Sequence, residues 1–599
     1  MGEYSAPLKD MSFVLNHVIG VDELAKMETF AHAESDVVAA VLEEASKLAG
    51  NVLSPLNKPG DLAGTSVKDG VVTSPDGWAD AYAQFAEGGW NGIAGPEAYG
   101  GGGMPQAVAL ATVEMWNASN LAFALCPLLT QGAIESLIAH GTDEQKDKYL
   151  EKLVTGEWTA TMNLTESHAG SDVGALRTKA EPAEDGSWRI SGQKIFITYG
   201  EHEMTENIIH LVLARTPGSP AGTKGISLFI VPKFLVNEDG SLGERNDLKC
   251  VSVEEKIGIH ASPTCVMSYG DNGNCVGYLI GGENNGMACM FTMMNNARLN
   301  VGLQGLAIAE RAYQQSVEYA LDRKQGRAQG TPKGESAPIV KHADVRRMLM
   351  TMRSQIEAMR CLIYLNGAAL DKGHNHPDEE VRKASMGLAE LLTPLSKAWC
   401  TDLGVELSST AVQIHGGMGF IEETGVGQYY RDSRILPIYE GTNGIQALDL
   451  VGRKLGMQGG EPVRTLLAEM DEMAHSLNGE NDDLKVISRQ LGVAVTALKE
   501  ATDWMYRNAP NDPNAAPAGA TPYLRMFATT VGGYLLAKSA LKAQELLNAG
   551  DSDTKFLNAK ITTAKFFATQ ILPQVAALLG PVTEGADLLF AIDEEDLVA

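Results

Sequence analysis

The spacing of apolar residues changes twice along this chain, and that change limits its possible folds. From about residue 22 to 155 the apolar positions recur every three or four residues, as in "VVAAVLEEASKLAG" (37–50), the mark of a helix face. From about 158 to 282 the period is two. "KIFITYG", "NIIHLVLART", "GISLFIVPK", "KCVSVEEKIG" and "TCVMSYG" are short β-branched or aromatic runs separated by Gly, Pro, Asn and Asp, which reads as strands. From Met287 to about 456 the helical period returns, and after "GRKLGMQGGEP" (452–462) a further helical block runs to the C-terminus. A helix-period pattern does not sit on a sheet, nor the reverse. The expected fold class is therefore α+β in segregated blocks. The expected domains are an N-terminal helical domain (1–157), a middle β-domain (158–284), a second helical domain (285–456) and an appended helical domain (457–599).

Local signals refine this. Thr142 with Gln145 three residues later is a capping-box signature. Gly50 is the expected C-cap of the helix before it. The stretches "QGRAQGTPKGESAP" (325–338), "DKGHNHPDEE" (371–380) and "RNAPNDPNAAPAGATP" (507–522) are expected loops.

The net charge of −27 disfavours nucleic acid and anionic membranes as partners. Seven scattered cysteines without a C-x-x-C pair point to free thiols in a reducing compartment, the cytoplasm. No signal peptide is expected, and no run approaches the roughly 20 uninterrupted apolar residues of a membrane helix.

Four stretches offer chemistry. "MNLTESHAGSD" (162–172) brings Thr165 and Ser171 hydroxyls and a Gly170 that admits a flat ligand, although an ordinary turn reads the same way. In "KIFITYG" (194–200), Phe196 and Thr198 lie two apart and face one side of a strand, which suits an aromatic heterocycle or simply a core. Gly416, Gly417 and Gly419 could admit a phosphate to backbone amides, but no G-x-G-x-x-G follows a strand here. His415 has no second His at i+4, so no metal is expected. In "IYEGTNGIQ" (438–446), Glu440 is the one ionisable carboxylate, either an exposed helix start or a base aimed into a pocket. Met287, Met290 and Met294 share a helix face, most simply as core packing.

Taken together, these stretches resemble the flavin-dependent acyl-CoA dehydrogenases. The resemblance rests on "GWNGIAGPEAYGG", "GTDEQKDKYLEKLVTGEW", "LTESHAGSD", "KIFIT", "EKIGIHASPT", "ARLNVGLQGLAIAERAYQQSVEYALDRKQG" and "QIHGGMGFIEETGVGQYYRDSRILPIYEGTNGIQ", in that order. It implies that the 285–456 domain is a four-helix domain and that FAD is held between the domains. The 457–599 block resembles the appended domain of larger bacterial members, a subgroup whose substrates include 3-methylmercaptopropionyl-CoA. Residue by residue, it implies FAD contacts at Met162, Leu164, Thr165, Ser171, Phe196, Thr198, Arg323, Gln325, Gln413, Gly416, Gly417 and Thr442. Substrate contacts are implied at Ser171, Asn295, Arg298, Tyr439 and Gly441. Glu440 is implied as the base that removes the α-proton while a hydride passes from the β-carbon to flavin N5. The alternative base position of the family is Ala297 here, which cannot serve. An electron-transfer flavoprotein is the implied acceptor and a homodimer the implied assembly. An acyl-CoA oxidase using O2 and an inactive acyl-CoA-binding scaffold of the same fold are the competing readings.

Three departures stand out. Ser167 replaces the usual Pro and is expected to loosen its turn. "RKQGR" lacks the family's Phe, which makes His342 a candidate substitute cofactor contact. Gly444 removes a side chain from the "EGTNGIQ" motif.

Overall fold

The structure is a computed structural model and describes residues 4–477 and 481–598. The helices that matter below are α1 (Leu8–Phe13), α2 (Gln106–Ser119), α3 (Leu121–His140), α4 (Asp143–Val154), α5 (Gly286–Asp322), α6 (Ala343–Asn375), α7 (Glu379–His415), α8 (Asn443–Asp449), α9 (Asp482–Asn508), α10 (Ala515–Asn548) and α11 (Thr554–Gln570). Between α4 and α5 run β1 (Thr159–Asn163), β2 (Lys179–Pro182), β3 (Trp188–Thr198), β4 (Ile208–Ala214), β5 (Ser227–Pro232), β6 (Leu248–Val253), β7 (Thr264–Tyr269) and β8 (Val276–Ile280). The arrangement is α+β, with the large sheet in the middle of the chain and mainly helices on either side in sequence. The chain divides into two compact units, one of residues 45–104 and 115–300, the other of 1–44, 105–114 and 301–599.

The first unit holds an eight-stranded sheet in the order β6-β7-β3-β8-β5-β4-β1, with β2 on the flank of β3. Among the described residues, β1 and β4 are the one pair of strands that runs parallel, and Lys179 of β2 adds a single parallel bridge to Arg215. The β1, β4 and β5 strands are buried on both faces, which explains their continuous apolar runs. The edge strand β6 alternates instead. A two-stranded hairpin, Ser66–Lys68 with Val71–Thr73, lies within the stretch expected to be purely helical. Asp69 and Gly70 both take positive φ at its turn, so a two-residue Asp-Gly signal was present in the sequence.

The α4 helix starts with the expected capping box: Thr142 accepts from the Gln145 amide and Gln145 returns the bond to the Thr142 amide. The Gly50 expectation fails. Residues Ala49–Leu53 form a π-turn that leads straight into the next helix, so no cap is required there. By length and composition Leu121–His140 and Thr554–Thr583 are each long and apolar enough to cross a membrane, contrary to the sequence expectation. In the first, 83% of the apolar window is buried within the protein, so α3 is apolar all round because it is a core helix.

The second unit is helical. Its interior carries a charged cluster. Arg360 of α6 reaches Glu114 of α2 at 2.6 Å, Asp10 of α1 at 2.6 Å and Glu310 of α5 at 2.9 Å. Lys560 of α11 reaches Asp10 at 2.5 Å and Glu357 at 2.8 Å. Buried charges of this kind persist only when paired, and here the pairing ties the N-terminal segment to the C-terminal block. Two loops are shorter than expected. The 371–380 break shrinks to the residues between Asn375 and Glu379, and 507–522 shrinks to those between Asn508 and Ala515, because α10 carries Pro522 inside it. All seven cysteines are free and buried.

Candidate active site

In the sheet-containing unit, Met162 sits buried on β1, and Leu164 and Thr165 follow it into a tight turn. The turn closes through reciprocal backbone bonds between Glu166 and Ala169, both 3.0 Å. The Glu166 carboxylate accepts from the Arg177 and Thr178 amides, the Thr178 hydroxyl and the Lys194 ammonium. Burial pushes its pKa up, but Lys194 and Thr178 pull it down to about 2. Lys194 also donates to the Leu164 carbonyl at 2.9 Å, and the Ile195 amide donates to the Thr165 carbonyl at 2.9 Å. Ser167 therefore does not leave this turn loose, because the buried Lys194–Glu166 pair fastens it in place of a proline. Ser171 lies exposed beyond the turn.

Phe196 stands at an irregularity in β3. Cys265 pairs with Ile197 but Met267 pairs with Lys194, so β3 carries one extra residue there. That bulge places Phe196 in the left-handed region, φ +59°, with 58% of its surface exposed. Strain of this kind at an exposed aromatic is a functional signal. Ile197 is buried, and Thr198 beside it is half-buried, its carbonyl accepting from the Thr161 hydroxyl at 2.6 Å. On α5, Asn295 is exposed, whereas Arg298 is buried with its guanidinium 5.9 Å from the Phe291 ring. Met290 and Met293 are core residues, and Met287 and Met294 pack against that core.

A pair that sequence reading missed sits on the same helix. Asn296 donates to the Glu135 carboxylate of α3 at 2.6 Å. Burial raises the Glu135 pKa to about 7, against the opposing effect of that hydrogen bond. The signal was present, since Glu135 is the one carboxylate in "LAFALCPLLTQGAIESLIAH".

In the helical unit, Arg323 is exposed at the end of α5, and its carbonyl accepts from Ile339 at 2.8 Å. The Gln325 amide donates to the Ala337 carbonyl at 3.0 Å, and His342 Nε2 donates to the Gln325 carbonyl at 2.7 Å. His342 thus latches the 325–338 loop. Gln413 is exposed in the last turn of α7. His415 donates through Nδ1 to the Ala411 carbonyl at 2.7 Å and stacks on Tyr319 at 4.3 Å. Burial lowers its pKa, so Nε2 is a neutral acceptor, and it is buried without a hydrogen-bond partner among the described residues. Gly416, at φ +60°, and Gly417 have no neighbouring atom within 4 Å of where a Cβ would stand, and Phe420 is 88% exposed.

Glu440 itself has φ +55°, followed by Gly441 at φ +82°. A left-handed non-glycine residue costs on the order of 1–2 kcal/mol, so the surroundings must enforce it. The Asn443 amide donates to the Pro437 carbonyl at 3.0 Å and closes the turn around Glu440. The Gln446 side chain donates to the Glu440 and Gly441 carbonyls at 3.3 and 3.4 Å. Thr442 caps α8, accepting from the Ile445 amide at 3.3 Å. The Tyr439 hydroxyl donates to Gln304 of α5, and burial together with the Glu440 charge keeps it protonated. Gly444 is exposed, and the nearest atom to its Cβ position is the Thr442 hydroxyl oxygen at 3.9 Å. Crowding does not explain the glycine there.

Comparison with known proteins agrees with this geometry. The family description "Acyl-CoA dehydrogenase, N-terminal domain" matches residues 68–157, "Acyl-CoA dehydrogenase, middle domain" 161–271, "Acyl-CoA dehydrogenase, C-terminal domain" 284–455, and "Acetyl-CoA dehydrogenase C-terminal like" 466–593. Over 587 residues the chain is 46% identical to 3-methylmercaptopropionyl-CoA dehydrogenase of Ruegeria pomeroyi, covering 98% of this chain and 99% of that one. It is 34% identical over 585 residues to a butyryl-CoA dehydrogenase of Syntrophomonas wolfei, covering 96% and 95%. Among solved structures, acyl-CoA dehydrogenase complexed with FAD from Bacillus anthracis shares the fold with a TM-score of 0.75 at 21% identity, over 93% of this chain and 90% of that one. The chain belongs to the acyl-CoA dehydrogenase family and is an oxidoreductase acting on acyl-CoA.

Proposed function

We propose that this chain introduces a trans-2 double bond into 3-methylmercaptopropionyl-CoA, with Glu440 removing the α-proton. The observation that carries the base is the strained turn. Glu440 is a carboxylate held at φ +55° by contacts from both sides. The substrate rests on the 46% identity, over nearly the whole chain, to a relative of that name. A carboxylate in water is too weak a base for an α-carbon, and exclusion of water by a bound acyl chain raises its basicity.

The residues present fit FAD. In the sheet-containing unit they offer the exposed Phe196 ring and the Thr165 and Thr198 backbone held beside it. In the helical unit they offer bare backbone at Gly416 and Gly417 and the unpartnered Nε2 of His415. FAD, when bound, supplies the two-electron acceptor that takes the β-hydrogen with its electron pair. Met162, Leu164, Thr165, Ser171, Phe196 and Thr198 are proposed to hold its ring, and Arg323, Gln325, Gln413, Gly416, Gly417 and Thr442 its dinucleotide. Arg298 and Asn295 orient the CoA moiety, while Tyr439 and Gly441 shape the wall beside the base. An electron-transfer flavoprotein is the proposed final acceptor and a homodimer the proposed assembly.

The test is a kcat/KM ranking of C4 to C16 acyl-CoAs alongside 3-methylmercaptopropionyl-CoA, with peroxide yield measured in parallel. The methylthio substrate is expected to lead by at least tenfold over butyryl-CoA, with little peroxide. A longer acyl-CoA in the lead overturns the substrate, and stoichiometric peroxide overturns the acceptor.

A further inference from the structure

Three residues after Glu440, Asn443 opens α8, and its side chain is fully engaged. Its oxygen accepts from the Lys397 ammonium at 2.8 Å. Its two N–H groups are shared among the Asp402 carboxylate at 2.7 Å, the Thr401 hydroxyl oxygen at 3.0 Å and the Ala398 carbonyl at 3.1 Å. All four partners lie on one stretch of α7. The Asn443 backbone amide meanwhile donates to Pro437 and closes the turn that contains Glu440. One residue thus shuts the turn with its main chain and fastens it to a core helix with its side chain.

The chemistry selects an amide at this position. Lys397 is fully buried, and a buried ammonium needs acceptors. Asp402, whose carboxyl pKa is raised by burial and opposed by its Asn443 bond, needs a donor. An amide presents an acceptor and two donors on separate atoms. A serine would have to answer both from one oxygen on a shorter stem. One turn along α7 from Asp402, Glu406 takes a forked pair from Arg525 of α10 at 2.8 and 3.1 Å, so the C-terminal block grips the same segment of α7.

We propose that Asn443 is the positioning residue for the base. Through Lys397, Thr401 and Asp402 it holds the 437–443 turn, and with it the Glu440 carboxylate, in the left-handed conformation that proton abstraction requires. The inference rests on the reading of Glu440 as the base.

The experiment uses full-length, FAD-loaded protein and follows flavin bleaching near 450 nm with 3-methylmercaptopropionyl-CoA and its α,α-dideuterated form. In Asn443→Ala the bleaching rate is expected to fall at least tenfold, KM to stay within about twofold, and the deuterium isotope effect to rise, because proton removal becomes slower relative to other steps. Asn443→Ser is expected to restore part of the rate. A soluble Asn443→Ala protein with wild-type rate and isotope effect overturns the proposal. Should Asn443→Ala fail to fold, Thr401→Val removes the Thr401 hydroxyl, which meets the Asn443 amide and otherwise bonds only to backbone carbonyls of its own helix, and leaves the Lys397 and Asp402 contacts in place. An intermediate rate loss with a raised isotope effect supports the role, and a wild-type profile overturns it. Glu440→Gln is the control. If it is inactive while Asn443→Ala is normal, the positioning role alone fails, and if it turns over, the base assignment itself fails.

Discussion

The Tyr439 hydroxyl donates to the side-chain oxygen of Gln304, tying the turn that carries Glu440 to helix α5. Among the described residues the buried Gln304 nitrogen has no hydrogen-bond partner, and Tyr439 is the side chain that bonds to this amide. Tyr439→Phe leaves a buried amide oxygen unpaired, at about 1–3 kcal/mol. The expected result is a lowered melting temperature and a several-fold fall in kcat with FAD retained, read by calorimetry and by flavin bleaching. An unchanged melting temperature would show that this bond does not hold the turn.

Glu440→Gln keeps the shape of the side chain and removes its basicity. FAD content, measured by the ratio of absorbance near 450 nm to that at 280 nm, is expected to match wild type, while turnover falls by at least about 10³-fold, in line with loss of a positioned general base. Residual turnover within tenfold of wild type would move the base to another group.

Glu135 makes a prediction about pH. Its pKa is raised from 4.5 to about 7 by burial, so the folded state favours the protonated form. The stability this group contributes is complete below about pH 4.5 and is lost as the pH rises through 7. Glu135→Gln keeps an acceptor for Asn296 and carries no charge. Its melting temperature is expected to match wild type near pH 5 and to exceed it by about 2 °C or more at pH 8. A constant difference across that range would mean that Glu135 is ionised throughout.

Much of this molecule was readable from spacing. The change of period located the sheet, the Thr142–Gln145 pair marked the start of α4, and the run from Met287 marked α5. What escaped depended on contacts distant in sequence or on backbone twist. Gly50 looks like a cap until the chain is seen to continue through a π-turn. The bulge that turns Phe196 outward depends on how β7 pairs with β3, which no local pattern encodes. Ser167 reads as a weak point in its turn until Lys194, 28 residues beyond Glu166, is found holding it. The role of Asn443 needs Lys397, 46 residues earlier, and only the packing of α8 on α7 brings the two together.

The Lys194–Glu166 pair yields the last prediction. Lys194 is fully buried and spans the Leu164 carbonyl and the Glu166 carboxylate, both at 2.9 Å, with Thr165 between them in sequence. Lys194→Met leaves Glu166 buried with its charge uncompensated, a loss of roughly 3–5 kcal/mol. The turn that presents Thr165 should loosen, so FAD occupancy is expected to fall along with the melting temperature. Glu166→Gln added to Lys194→Met removes the stranded charge, and the double variant should regain part of the lost melting temperature, because the two sites are in contact and their effects do not add. FAD occupancy should stay low, since the tie to the Leu164 carbonyl is still absent. The pH dependence gives an independent check. Glu166 titrates at about 2 in the folded protein against an ordinary 4.5, so its stabilisation is present above about pH 4.5 and is lost as the pH falls toward 2. Wild type should therefore lose more stability than the double variant over that acid range. A double variant with wild-type FAD occupancy would show that the turn holds its shape without the pair.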